Sequence, residues 1–262
     1  MATLKSGQPS ILGKIKNRFR RLGLIKQIRS QPEVFTIPID ACRHYCAFRY
    51  GSNSFNPYEN YIVGLSQGIS KSILQAQFEE FLRFYRPRDF GAVFGVGFSE
   101  PIPLWCFPWQ AGGPVNPQQG WPDALEDVPD IITHFCESGI RRSRVEEEYF
   151  WMERALNTIS ARGYQPKAMG YITVSEFRGT DRSVYLVTDG NHRLSALVAL
   201  GHRQVVVKRD TWACVSLADC NTWPQVQLGR YTCQDATALF DVYVKGVDGF
   251  VRAPCPAPIL DE

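Results

Sequence analysis

The sequence predicts an α+β fold, and three observations carry that reading. Residues 169–174 (MGYITV) and 183–188 (SVYLVT) are short β-rich runs separated by the polar turn Arg178-Gly179-Thr180-Asp181, the pattern of a hairpin. Helical patterns flank the pair, over 143–162 before it and 194–200 after it. A third β-rich run, 204–208 (QVVVK), follows a helix stop at Gly201. Together these describe a small mixed sheet with helices.

The other elements lie on either side. Residues 11–29 set Ile11, Leu12, Ile15, Phe19, Leu22 and Ile25 at helical spacing. Lys14, Lys16, Arg18, Arg20, Arg21, Lys26 and Arg29 largely fill the positions between, without an acidic residue. This predicts a cationic amphipathic helix, weakened by Gly13 and Gly23. Such a helix can lie on an anionic membrane surface, cover an acidic partner or pack on its own domain, and all three stay open.

Pro32 and Pro38 bracket a strand at 34–37, and a helix is expected over about 56–85. Ile69, Ile73, Phe78, Phe81 and Leu82 make its apolar face, and Pro87 ends it. Residues 86–125, rich in Gly, Pro and Trp, predict an ordered loop pinned by aromatics, which either caps the core or lines a ligand site. In the 143–162 helix, Glu146, Glu147 and Glu148 are expected near the N-terminal end, where carboxylates are favoured, and Gly163 terminates it. A last helix covers 233–244, with Asp235, Ala236, Leu239, Phe240 and Tyr243 at helical spacing. The expected division is a basic arm (1–30), an elaboration with a helix and a Pro/Trp-rich loop (31–142), a core (143–210) and a C-terminal helical extension (211–262).

Composition narrows the classes. The chain has 262 residues, 44% hydrophobic and 21% charged, which is globular composition with enough length for a sizeable core. A net charge of +3 does not by itself argue for nucleic acid. Eight cysteines without C-x-x-C spacing do not make a disulfide scaffold, so reduced thiols and a cytoplasmic protein are expected. Cys42 and Cys46 with His44 could be imagined as metal ligands, but no second pair stands at zinc-site spacing. No run approaches the roughly 18 to 20 apolar residues of a membrane-spanning helix.

The chemistry concentrates in Asp189-Gly190-Asn191-His192-Arg193, where a strand ends and a helix begins. The first N–H groups of a helix lack internal acceptors and form an anion site. Gly190 lets the backbone approach a ligand closely, and Arg193 can make two charge-assisted hydrogen bonds to phosphate oxygens. His192 can supply a hydrogen bond or a proton, and Asp189 suits a metal ligand or a base toward a hydroxyl. Structural alternatives stand beside these: Asp189 as helix cap, Arg193 paired with Glu176 or Asp181, and His192 as a satisfied core residue.

Residues 156–208 resemble the ParB/sulfiredoxin superfamily: a helix ending near SARGYQP, two strands, the signature DGNHRLSALVALG and the closing strand VVVK. The resemblance implies an α+β, ParB/sulfiredoxin-like core with helical and loop-rich elaborations on both sides. Members bind nucleotide phosphates at this turn, for CTP hydrolysis, ATP-driven sulfinic acid reduction or phosphorylation of free serine. Sulfiredoxins need a Cys before His-Arg, where this chain has Asn191. The double-arginine motif and helix-turn-helix of partition proteins are not recognisable here. The turn is nearest to the Asp-Gly-His-His-Arg of ParB-like free serine kinases, which implies a phosphate-site role for Asp189, Gly190, His192 and Arg193. An upstream Glu is implicated in those kinases, and Glu100, which introduces the proline-rich loop, is the candidate.

The flanks PLWCFPW and WPQVQLGRYTCQDATALFDVY resemble a ParB-like subgroup associated with bacterial surface-polysaccharide gene sets. The function so implied is a nucleotide-dependent phosphotransferase using ATP or another nucleotide with Mg²⁺. Asp189, His192 and Glu100 would be catalytic, Gly190, Asn191, His192 and Arg193 would bind phosphate, and Asp189 would hold the metal. The acceptor would be a small molecule, sugar or glycolipid, with peripheral membrane contact through 11–29. The alternative is a nucleotide-responsive DNA-binding protein or a ParB-like nuclease.

Overall fold

The structure is a computed structural model that describes residues 34–51, 54–87, 89–98, 100–102, 106–111, 139–210 and 214–261. The expectations placed on residues 11–29, and on 103–105 and 112–125 of the proline-rich loop, lie outside the described residues. In chain order the strands are β1 (Val34–Pro38), β2 (Cys42–Arg43), β3 (Ile140–Arg141), β4 (Ile172–Arg178), β5 (Ser183–Asp189), β6 (Gln204–Arg209), β7 (Val215–Ser216) and β8 (Ile259–Leu260). The helices are α1 (Pro57–Ser66), α2 (Lys71–Phe84), α3 (Phe90–Phe94), α4 (Arg142–Arg162), α5 (Pro166–Met169), α6 (Asn191–Ala199), α7 (Pro224–Gln227) and α8 (Cys233–Lys245).

The main sheet is mixed, in the order β1-β6-β4-β5-β2, with β7 added to β4. β4 and β5 are the expected hairpin, antiparallel from Val174↔Val187 to Arg178↔Ser183. β6 runs parallel to β4, and β1 runs antiparallel to β6 with Phe35 opposite Val207. The sheet therefore takes strands from both sides of the 142/143 boundary, because β1 and β2 supply its two edges. Ile172, Val174, Val187, Val205 and Val207 are buried in it, and Leu194 and Leu197 of α6 are fully buried as α6 packs between α1 and α4.

Three expectations need correction. The helix expected over 56–85 is two helices. Gly68 takes φ +79°, its N–H donates to the Leu65 carbonyl, and the Ile69 N–H donates to the Gly64 carbonyl, the paired bonds of a Schellman stop. The chain then restarts from Ser70, which leaves Ile69 and Ile73 exposed rather than on the apolar face. Second, the strand expected from 169 begins at Ile172, because Pro166 opens the one-turn helix α5 and Gly170 breaks it. Third, α4 starts at Arg142, so Glu146 to Glu148 lie beyond its first turn. Glu148 instead shares the buried face of Val145, Tyr149, Met152 and Ile159.

The described part of the proline-rich loop caps the core. Phe107 and Trp109 pack against Phe177, Trp223, Phe240 and Tyr243 between β4 and α8. His44 is stacked between Phe48 and Tyr58, and its Nδ1 accepts from the Cys46 N–H at 3.3 Å. No helix among the described residues is long and apolar enough to cross a membrane.

The helix break makes a direct prediction. A side chain at a left-handed position costs about 1–2 kcal/mol, so Gly68→Ala should lower the unfolding free energy by about 1 kcal/mol in urea titration. Gly97→Ala, in open space and without a positive φ, should leave the midpoint in place. Equal midpoints for the two variants would overturn the Schellman assignment.

Candidate functional site

β5 ends at Asp189 and α6 begins at Asn191, with Gly190 between them at φ +91°. Two constraints require glycine there. The left-handed φ is one. The other is space: a Cβ would lie 2.9 Å from both Ile172 Cγ1 and Arg193 Nη2. The Gly190 carbonyl accepts from the Leu194 N–H, so the amides of Asn191, His192 and Arg193 open the nine-residue helix as its first-turn donors.

Arg193 does not extend from the turn. Its guanidinium folds back, Nη1 donating to the Met169 carbonyl at 3.0 Å and to the Gly170 carbonyl, and Nη2 to Asp189 Oδ2 at 2.9 Å. Its partner is thus Asp189, not Glu176 or Asp181. Asp189 is 67% exposed, and no side chain caps the helix at Gly190. Asn191 Oδ1 accepts from the Tyr50 hydroxyl at 2.6 Å, which ties the turn to the segment after β2.

His192 and Glu148 form the chemical pair of the site, His192 Nε2 lying 3.0 Å from Glu148 Oε2. Glu148 is 3% exposed, while His192 keeps part of its ring at the surface beside Tyr58. Burial pushes the Glu148 carboxyl up to about 7, although neighbouring Arg144 pulls the other way. Desolvation, then Arg144 and Arg193, push the His192 imidazole down to about 4. Near pH 7 the histidine is therefore neutral and the carboxyl is at the edge of ionisation. A carboxylate accepting from Nε2–H leaves Nδ1 as the basic nitrogen, the arrangement of an oriented general base. Arg144, held by Glu147, places a cation beside the pair.

Glu100 is exposed, in the loop whose Ile102 carbonyl accepts from the Phe90 N–H at the start of α3. Apart from Asp189, which is part of the turn, a second carboxylate reaches it: Glu148 of α4, through His192. A sequence signal for it existed: an acidic residue on the inward stripe that also holds Val145, Tyr149 and Met152. Tyr50 and Tyr58 carried no such signal, because their contacts to the turn span more than a hundred residues. Among the described residues no group of three or more His, Cys, Asp or Glu is placed to hold a metal ion. Two clefts among the described residues lie elsewhere, about 270 Å³ beside Phe55, Tyr61, Phe78 and Phe250, and about 410 Å³ beside Gly179, Asp181 and Lys245. Chemistry rather than volume marks the turn. No protein-family model, curated protein or solved structure matches the chain.

The two shifted groups act on stability in opposite directions. Glu148, raised from 4.5 to about 7, contributes fully below pH 4.5 and loses that contribution as pH rises toward 7. His192, lowered from 6.5 to about 4, contributes above 6.5 and loses its part as pH falls toward 4. The pair's combined contribution should be nearly flat between pH 4.5 and 6.5. Glu148→Gln removes the falling limb, so relative to the wild type its urea midpoint should climb steadily over that window. Parallel profiles for the two proteins would refute the assignment.

Proposed function

We propose that the turn is the phosphate site of a nucleotide-dependent phosphotransferase in which the Glu148–His192 pair is the base for an acceptor hydroxyl. The observation that carries this reading is the pair itself: a buried carboxyl orients an imidazole at the same helix start whose free amides suit an anion. The resemblance of residues 156–208 to the ParB/sulfiredoxin superfamily, and of Asp-Gly-Asn-His-Arg to the serine-kinase turn, supports phosphate as that anion and ATP or another nucleotide as its source.

In this mechanism the amides of residues 191–193 hold phosphate oxygens, and Gly190 makes room for the folded-back Arg193. Arg193 positions the turn through Met169, Gly170 and Asp189 while its charge favours the anion. His192 Nδ1 takes the acceptor proton as the oxygen attacks phosphorus, and Glu148 stabilises the imidazolium that results. Mg²⁺ commonly binds through one or two carboxylates together with substrate phosphates, and the exposed Asp189 carboxylate fits that requirement. Bound there, the ion would offset phosphate charge. The acceptor class is a small molecule or a sugar, consistent with the flanking sequence resemblance.

The test pairs binding with turnover. ATP, ADP, CTP and GTP with Mg²⁺ are screened by thermal shift on the wild type and on Glu148→Gln, since a ligand of the folded state raises the melting temperature. Nucleotide hydrolysis, with water standing in for the acceptor, is followed on the same proteins. The expected result is a shift for one nucleotide in both, with turnover rising through about pH 7 in the wild type. In the variant, turnover should fall on the order of 10² to 10⁴-fold and lose that limb. No shift with any nucleotide overturns the phosphate site, and undiminished turnover in Glu148→Gln overturns the base.

A further inference from the structure

The described cysteines differ sharply in their surroundings. Cys42 and Cys106 are buried, their sulfurs meeting the Pro38 carbonyl at 3.8 Å and Gln225 Oε1 at 3.7 Å. Cys255 is exposed. Cys220 and Cys233 are brought together, with their sulfurs 2.6 Å apart. Cys220 is buried in the 3₁₀ segment Leu217–Thr222, and Cys233 is the first residue of α8 and partly exposed. Cys220 Sγ also lies 3.4 Å from the Cys233 carbonyl and 3.6 Å from Thr237 Oγ1, so it is aimed along the first turn of α8. Only a small approach separates this pair from a disulfide bond length of about 2.05 Å.

We propose that Cys220 and Cys233 form a redox modification site, a dithiol that closes to a disulfide by exchange with low-molecular-weight disulfides. The Cys233 thiolate attacks one sulfur of a disulfide such as oxidised glutathione, breaking its S–S bond and releasing one thiolate. Cys220 then gives up its proton and attacks the Cys233 sulfur of the mixed disulfide, releasing the second thiolate. The protein loses two electrons and two protons, and the small disulfide becomes two thiols. Burial and the adjacent Cys233 push the Cys220 thiol up to about 11, and Cys233 is the more accessible of the two, so Cys233 is the first attacker.

The bond would close the loop from 220 to 233, and that loop is a clamp. Within it the Gln225 N–H donates to the Pro108 carbonyl at 3.0 Å and Gln225 Nε2 to the Gln110 carbonyl at 2.7 Å. The Tyr231 hydroxyl donates to the Cys106 carbonyl at 2.6 Å, and Trp223 packs edge-on to Trp109. Oxidation would fix the two ends of the segment that holds residues 106–110 on the core.

The experiment uses the full chain, reduced and then incubated with equal concentrations of reduced and oxidised glutathione. Titratable thiols in denaturant should fall by two from eight. Unreduced peptide mapping should show the Cys220 and Cys233 peptides joined with the loss of two hydrogens, and the melting temperature should rise on the order of 5 °C. Cys255→Ser should retain the cross-link, while Cys220→Ser should hold one glutathione on Cys233. Eight thiols remaining in the wild type, a lasting glutathione adduct on its Cys233, or a cross-link to another cysteine would each overturn the proposal. The wild-type peptide map decides the matter even if a serine variant does not fold.

Discussion

The geometry of the site depends on where one guanidinium goes. Arg193 reaches back over the start of its own helix to two carbonyls at the entrance of β4 and to the carboxylate at the exit of β5. Hydrogen bonds to a charged group are worth roughly 1.5–3 kcal/mol each, so this clamp fixes the spacing between the two strand ends and the helix. It also explains why glycine flanks it twice. A Cβ on Gly170 would come within 3.2 Å of Nη1, and one on Gly190 within 2.9 Å of Nη2. With its side chain folded back, Arg193 leaves the start of α6 without a side-chain cap.

The second constraint is the cost of burying Glu148. An isolated buried carboxylate is expensive, and the structure lowers that cost by holding the group near neutrality against His192 and by setting Arg144 beside it. α4 supplies the acid and α6 supplies the imidazole, so the chemistry depends on how these two helices cross. That crossing is held from outside the 143–210 segment. α1 packs on α6, Tyr58 from α1 lies against the His192 ring, and Tyr50 bonds Asn191. The elaboration before residue 142 is thus part of the site's wall and of the sheet's edges.

This explains which parts were legible in the sequence. The hairpin, α6, β6 and α8 were readable because each is set by local periodicity and by glycine stops at 163 and 201. The Asp189–Arg193 turn was readable because strand, glycine and helix start are adjacent in sequence. Local pattern failed where a nonlocal bond decided the outcome. Residues 169–171 have β-rich neighbours, yet Arg193 accepts no extended strand there, since it needs the carbonyls of Met169 and Gly170 turned toward it. Gly68 was hidden inside a long helical pattern and broke it. The Glu146-Glu147-Glu148 run has the pattern of helix-end charges, and the inward position of Glu148 follows only from where α4 begins.

The clamp and the pair also make the turn electrostatically asymmetric. Asp189 pairs with Arg193, while burial first, and then the charges of Arg144 and Arg193, keep the imidazole unprotonated. An anion drawn to the amides of residues 191–193 would reverse that balance, because a negative charge beside the ring favours its protonated form. The groups that attract the anion would therefore also suppress the proton that the ring could otherwise carry before a ligand arrives. His192 would then begin as a neutral base and become a stabilised imidazolium only with charge alongside it, an order that follows from the placement of Arg144, Glu148 and the helix end.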